Sequence, residues 1–228
     1  MGFRIKLSFV FLIVLISCQP PIVFGEAQPK NTISLSEIPM AFRGIYWCAK
    51  DSASLYVSDI SFIKRKEFLL KLTKDEVSNN KDFKLKNGKL YINTWEQSFP
   101  FKDMLDTLVS TIVLWDTLFT IDPNNILKPF KDHLILNTKI EAQTWEVLIA
   151  TKNSQDMLSI ARADLPKNLA VLDSITTIQT FAESYGHEKP IMITPTKEEF
   201  ELLLKEGLLF HSSCIKFRRI YPLHLQEY

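Results

Sequence analysis

A base and three nucleophiles stand together at His211-Ser212-Ser213-Cys214, residue types that covalent catalysis requires. On an extended strand alternate side chains share a face, so His211 and Ser213 would meet while His211 and Cys214 point apart. With no third group to orient the histidine the signature is weak, and a strand end carrying a structural cysteine accounts for the same residues. Asp103 and Asp106 are three apart and would share a helix face as paired acids, although a solvated helix face explains them more simply. Asp116 interrupts the otherwise charge-free run from Thr111 to Ile121, where a carboxylate needs a partner or a polar cavity. Together with Trp115, Phe119 and Trp145 it forms the candidate lining of a ligand pocket.

Beyond these residues the chemistry is sparse. The chain has no G-x-S-x-G and no H-E-x-x-H, its 6 glycines are unclustered, and its 4 histidines (133, 187, 211 and 224) are scattered. No hydrolase motif, phosphate-binding loop or metal-ligand spacing is announced, and no cofactor is expected. Lys64-Arg65-Lys66 and the group Lys216, Arg218 and Arg219 are basic patches without regularly interleaved aromatics. Against 27 basic residues stand 26 acidic ones, so no nucleic-acid partner is expected. Cys48 and Cys214 could pair in an oxidising compartment, closing a long loop for roughly 4–5 kcal/mol on the chain-entropy estimate. Two buried free thiols fit the sequence as well.

The first thirty residues specify an address. Arg4 and Lys6 precede an uncharged run from Leu7 to Ile16, the order of a secretory signal peptide. That run is too short to span a bilayer, which takes about 20 apolar residues. Leu15-Ile16-Ser17-Cys18 resembles the lipobox of bacterial lipoproteins. The resemblance implies cleavage before Cys18, diacylglycerol on its thiol and an acylated (palmitate-type) new amino terminus. At about 0.8 kcal/mol per buried CH₂, two or three chains give stable attachment. A residue other than Asp after the cysteine, here Gln19, implies the outer membrane of a Gram-negative envelope, facing the periplasm. The competing site is Val23-Phe24-Gly25, where small-x-small cleavage would release a soluble chain at Glu26. Removing Arg4 and Lys6 with the signal leaves 25 basic against 26 acidic residues, a net charge of −1.

The expected organisation is a signal peptide over 1–17, the lipidated cysteine and a proline-bearing tether over 18–31, and one β-rich domain over 32–228. Asn87-Gly88 is the type I′ turn pair and sets Leu85 opposite Leu90 and Phe83 opposite Ile92. Strands are expected at 43–48, 53–58, 111–121, 133–136, 144–151 and 157–162, with 60–72 strand-rich but broken at Lys64–Glu67. The 111–121 strand is read as buried on both faces. Thr73-x-x-Glu76 and Thr196-x-x-Glu199 are capping boxes, the second opening a helix that Gly207 stops. Asp173 is read as the cap of a helix over 174–185, and 208–220 as a closing strand. This predicts a mainly β fold, an antiparallel barrel-like or sandwich sheet with one or two helices near the C-terminal end.

Gly44-x-x-Trp47 opens the folded part and resembles the G-x-W strand of lipocalins, with a spacing one residue longer. The resemblance implies a small barrel with an apolar cavity. The sequence favours a membrane-anchored extracytoplasmic lipoprotein with a non-catalytic binding or envelope-structural role, partnered by the membrane and by a protein or small apolar ligand. Two alternatives stay open: a lipocalin-like carrier, and a hydrolase whose site is assembled only in the fold.

Overall fold

A computed structural model describes residues 20–141, 143–180, 190–210 and 215–221. The strands of the first half are β1 (Ile22–Phe24), β2 (Gly44–Cys48), β3 (Ala53–Val57), β4 (Ser61–Thr73), β5 (Phe83–Lys86), β6 (Lys89–Ile92), β7 (Gln97–Met104) and β8 (Thr107–Thr120). Those of the second half are β9 (Asn125–Phe130), β10 (His133–Glu141), β11 (Thr144–Lys152), β12 (Met157–Arg162), β13 (Ile178–Thr180), β14 (Ile191–Ile193) and β15 (Ile215–Tyr221). Among the described residues three short α-helices, α1 (Lys74–Asn79), α2 (Leu169–Asp173) and α3 (Lys197–Lys205), and one 3-10 turn (Asn93–Trp95) accompany them.

The fold is mainly β, with two of its helices near the C-terminal end. The strands join in the order β13-β14-β1-β11-β12-β15-β2-β3-β4-β8-β7-β6-β5, and β9 and β10 branch from β11. The sheet is open rather than closed. It is also mixed, because β1 runs parallel to β14 while the other pairs are antiparallel. Among the strands β9 pairs only with β10. The segment before β2 ties that edge to the β3–β4 turn: Leu35 N donates to Leu127 O at 2.8 Å and Ile38 N to Asp59 O at 2.6 Å.

One face of the curled sheet wraps a core of Tyr46, Leu55, Phe62, Phe119, Leu136, Leu148 and Phe217. β11 serves two cores by simple alternation: Leu148 and Ala150 face the first, Val147 and Ile149 a second. That second core sits under β1, β14 and α3 and is centred on Phe24, Phe130 and Phe200. A third cluster, with Leu90, Ile92 and Ile112, fills the far end of the β4–β8 pair.

Local sequence signals govern several elements. Asn87 and Gly88 adopt φ of 52° and 69°, the left-handed pair of a type I′ turn, and Leu85 and Phe83 face Leu90 and Ile92. Both capping boxes form, at Thr73–Glu76 and Thr196–Glu199.

Four expectations need correction. The tether over 18–31 is sheet and packed loop from Ile22 onward: Ile22 and Phe24 are fully buried, and Asn137 and Lys128 clamp the following loop. Asn137 Oδ1 accepts from Gln28 N at 2.6 Å, and Lys128 Nζ donates to Ala27 O and Pro29 O at 2.8 and 2.9 Å. The helix placed over 174–185 is absent at 178–180, where Ile178–Thr180 is a strand, and Asp173 ends α2 rather than capping a helix. The β-branched run Ile175-Thr176-Thr177-Ile178 favours extended backbone; residues 181–185 lie outside the described residues. β4 runs unbroken through Lys64–Glu67, because Lys64 meets Asp51 at 2.9 Å and Arg65 meets Glu67 at 2.5 Å. Finally, β8 is not buried on both sides: Trp115, Asp116 and Thr117 are exposed. A bulge between Phe62 and Ile63 in the β4–β8 pairing sets Phe119 opposite Phe62 but Thr117 opposite Ile63. The extra residue turns Phe119 into the core and leaves Trp115 on the outer face.

Candidate functional site

Residues directly opposite on neighbouring strands share a face, so the register defines which side chains line up on the outside of the sheet. Across β12, β15, β2, β3, β4 and β8 the pairings run Met157–Arg218, Arg218–Trp47, Trp47–Ser54, Ser54–Arg65 and Arg65–Trp115. These six side chains form one row on the face opposite the first core. The alternation that buries Phe217, Tyr46, Cys48 and Leu55 turns Arg218, Trp47 and Ser54 outward.

The row is aromatic and cationic. Trp47 is 39 % exposed and Trp115 60 %. Tyr56, in the neighbouring row, packs on Trp115 with ring centroids 5.5 Å apart. The Arg65 guanidinium lies 5.7 Å from the Trp115 centroid, within cation–π range, while its Nη2 bonds Glu67. At the other end Lys216 and Arg218 form no ion pair or hydrogen bond among the described residues. They line a depression of about 640 Å³ with Trp47, Met157, Lys50 and Asp51. Asp51 is engaged by Lys64, whose hydrogen bond holds the carboxyl below its usual range. Two cations thus stand beside an exposed indole without an ion-pair partner among the described residues.

A second depression, of about 710 Å³, holds Lys131, Asp132, His133, Thr151 and Lys152. His133 Nδ1 and Thr151 Oγ1 are 2.6 Å apart, a base and a hydroxyl in contact. They are direct partners in the β10–β11 ladder, and burial pushes the imidazole below its ordinary 6.5. Among the described residues no carboxylate hydrogen-bonds the ring, and the pair has the form of a cross-strand hydrogen bond.

The four pocket residues read from the sequence do not converge. Phe119 is buried in the first core, its ring 6.5 Å from Phe62. Trp145 pairs with Phe24 at the β1–β11 junction and lies under Lys139. Asp116 is exposed, opposite Lys64. Trp115 alone belongs to the outer row. Asp103 lies near the end of β7 in an ion pair with Lys74 at 2.9 Å, and Asp106 lies in the following turn, so they are not helical paired acids. Cys48 is a free, buried thiol; Cys18, His211, Ser213 and Cys214 lie outside the described residues. Among the described residues no group of three or more His, Cys, Asp or Glu could hold a metal ion, and no helix is long and apolar enough to cross a membrane.

In the sequence the basic patches lack regularly interleaved aromatics, whereas in the fold Trp47 and Trp115 stand between and beside them. Arg65 and Arg218 are 153 positions apart, and only strand pairing interleaves them with Trp47 and Trp115. No family model, curated protein or solved structure matches this chain.

Proposed function

We propose that this protein is a membrane-anchored extracytoplasmic lipoprotein, attached through Cys18, whose open sheet face binds a ligand without catalysis. The observation that carries the reading is β1. Ile22 and Phe24 sit fully buried in the second core, in register with Ile191 and Ile193 of β14. Cleavage after Gly25 would strip this strand from the mature chain, whereas cleavage before Cys18 retains it. Gly25, the small residue of the competing site, has a packing reason of its own: a Cβ there would come within 2.7 Å of Thr194 Oγ1.

On this reading the tether is short. Only Gln19, Pro20 and Pro21 separate Cys18 from Ile22, so the anchor lies within ~14 Å of the sheet. The domain is then held against the bilayer surface rather than on a stalk. A binding role is supported by the row from Arg218 to Trp115, which offers aromatic and cationic groups on an open face, the composition of a recognition surface.

Metabolic labelling with palmitate tests the anchor. The wild-type protein should carry label and partition into the detergent phase, and Cys18→Ser should do neither. A labelled Cys18→Ser protein, or an unlabelled, soluble wild type, would contradict the proposal.

A further inference from the structure

We propose that the outer row from Arg218 through Trp47 to Trp115 binds an extended acidic glycan, a chain of sugar rings bearing carboxylates. The inference rests on the binding reading above and names its ligand. Trp47 and Arg218 are register partners on adjacent strands, ~4.8 Å apart in the pairing direction. An anion attached to a ring stacked on the Trp47 indole is therefore within reach of the Arg218 guanidinium. A uronate carries its carboxylate in this way, and the planar guanidinium fork matches it with two parallel hydrogen bonds. Lys216, two positions before Arg218 on the same face of β15, supplies the second unpaired positive charge.

The ligand is a chain rather than a single ring. Trp115 lies three strands from Trp47, across β3 and β4, or ~14 Å, too far for one sugar to touch both. Between them Ser54 offers a hydroxyl and Arg65 an N–H fork already shared with Glu67. That neutralised middle suits the hydroxyls of a glycan. A phosphodiester strand would need a cation at each step and would meet the Glu67 carboxylate instead. Trp115, backed by Tyr56, provides the second stacking platform.

Isothermal titration of the purified mature protein in detergent micelles tests this. The probes are a uronate tetrasaccharide, its methyl ester, an eight-residue oligothymidylate and glycerophosphoglycerol, the water-soluble headgroup of an anionic phospholipid. The tetrasaccharide should bind, and the neutral ester at least tenfold more weakly. Arg218→Gln, at an exposed and unpaired position, should weaken uronate binding about tenfold or more. Trp47→Ala and Trp115→Ala should each do likewise, with thermal melts checking that each variant folds. Absent uronate binding, or equal affinity for the ester, overturns the proposal. So does uronate binding that Arg218→Gln leaves unchanged. Oligothymidylate or glycerophosphoglycerol binding more tightly than the uronate, with loss in Arg218→Gln, overturns the glycan assignment while the face stays a binding surface.

Discussion

Arg219 shows how much one side chain can hold. Its Nη2 donates to Ala41 O at 2.5 Å, Arg43 O at 3.0 Å and Tyr46 Oη at 2.8 Å, while the guanidinium lies 5.2 Å from the Tyr46 ring centroid. Tyr46 Oη donates in turn to Phe42 O at 2.6 Å. Arg219→Ala should therefore cost about 3 kcal/mol in urea unfolding, and Arg219→Lys should recover little, because an ammonium cannot span the same acceptors. His133 gives a pH dependence. Burial lowers its pKa from 6.5, so below pH 6.5 the unfolded chain takes up a proton that the folded chain refuses. Stability should fall as pH drops from 7.5 to 5.5, and His133→Gln should reduce that slope. Glu76, Asp51 and Asp156 are shifted below 4.5 and 3.8 and titrate outside that window. Neither network was legible in the sequence, since Arg219 reaches residues more than 170 positions away.

Elements whose cause is local were readable. The Asn87-Gly88 turn and both capping boxes depend on a handful of adjacent residues, and each forms where its motif stands. Thr196→Ala should cost ~1 kcal/mol, read as a lower melting temperature. Elements whose cause is distant were not readable. β1 looks like a proline-flanked tether because its three residues become a strand only between β11 and β14. The bulge that turns Trp115 outward exists only in the pairing of β4 with β8. Phe24→Ala should cost about 3–5 kcal/mol, since its ring packs edge-on against Phe200 with centroids 6.2 Å apart. A wild-type melting temperature in that variant would remove β1 from the folded domain.

For the whole molecule, the mainly β class followed from short alternating segments punctuated by turns. Openness did not, because whether a sheet closes depends on which edge strands meet. The candidate site was less legible still: Trp115 was singled out, but with core residues Phe119 and Trp145 rather than with Arg65, Trp47 and Arg218. Segments far apart in sequence build both the outer row and the pocket of β1, so local pattern cannot announce either. On the proposed reading the cleavage site decides both attachment and completeness of the second core, because only three residues separate Cys18 from β1. Intact mass of the mature protein from the membrane fraction tests this most directly. A lipid-anchored protein gives a chain beginning at Cys18 with added diacylglyceryl and acyl mass. A chain beginning at Glu26, or at an unmodified Cys18, would contradict it.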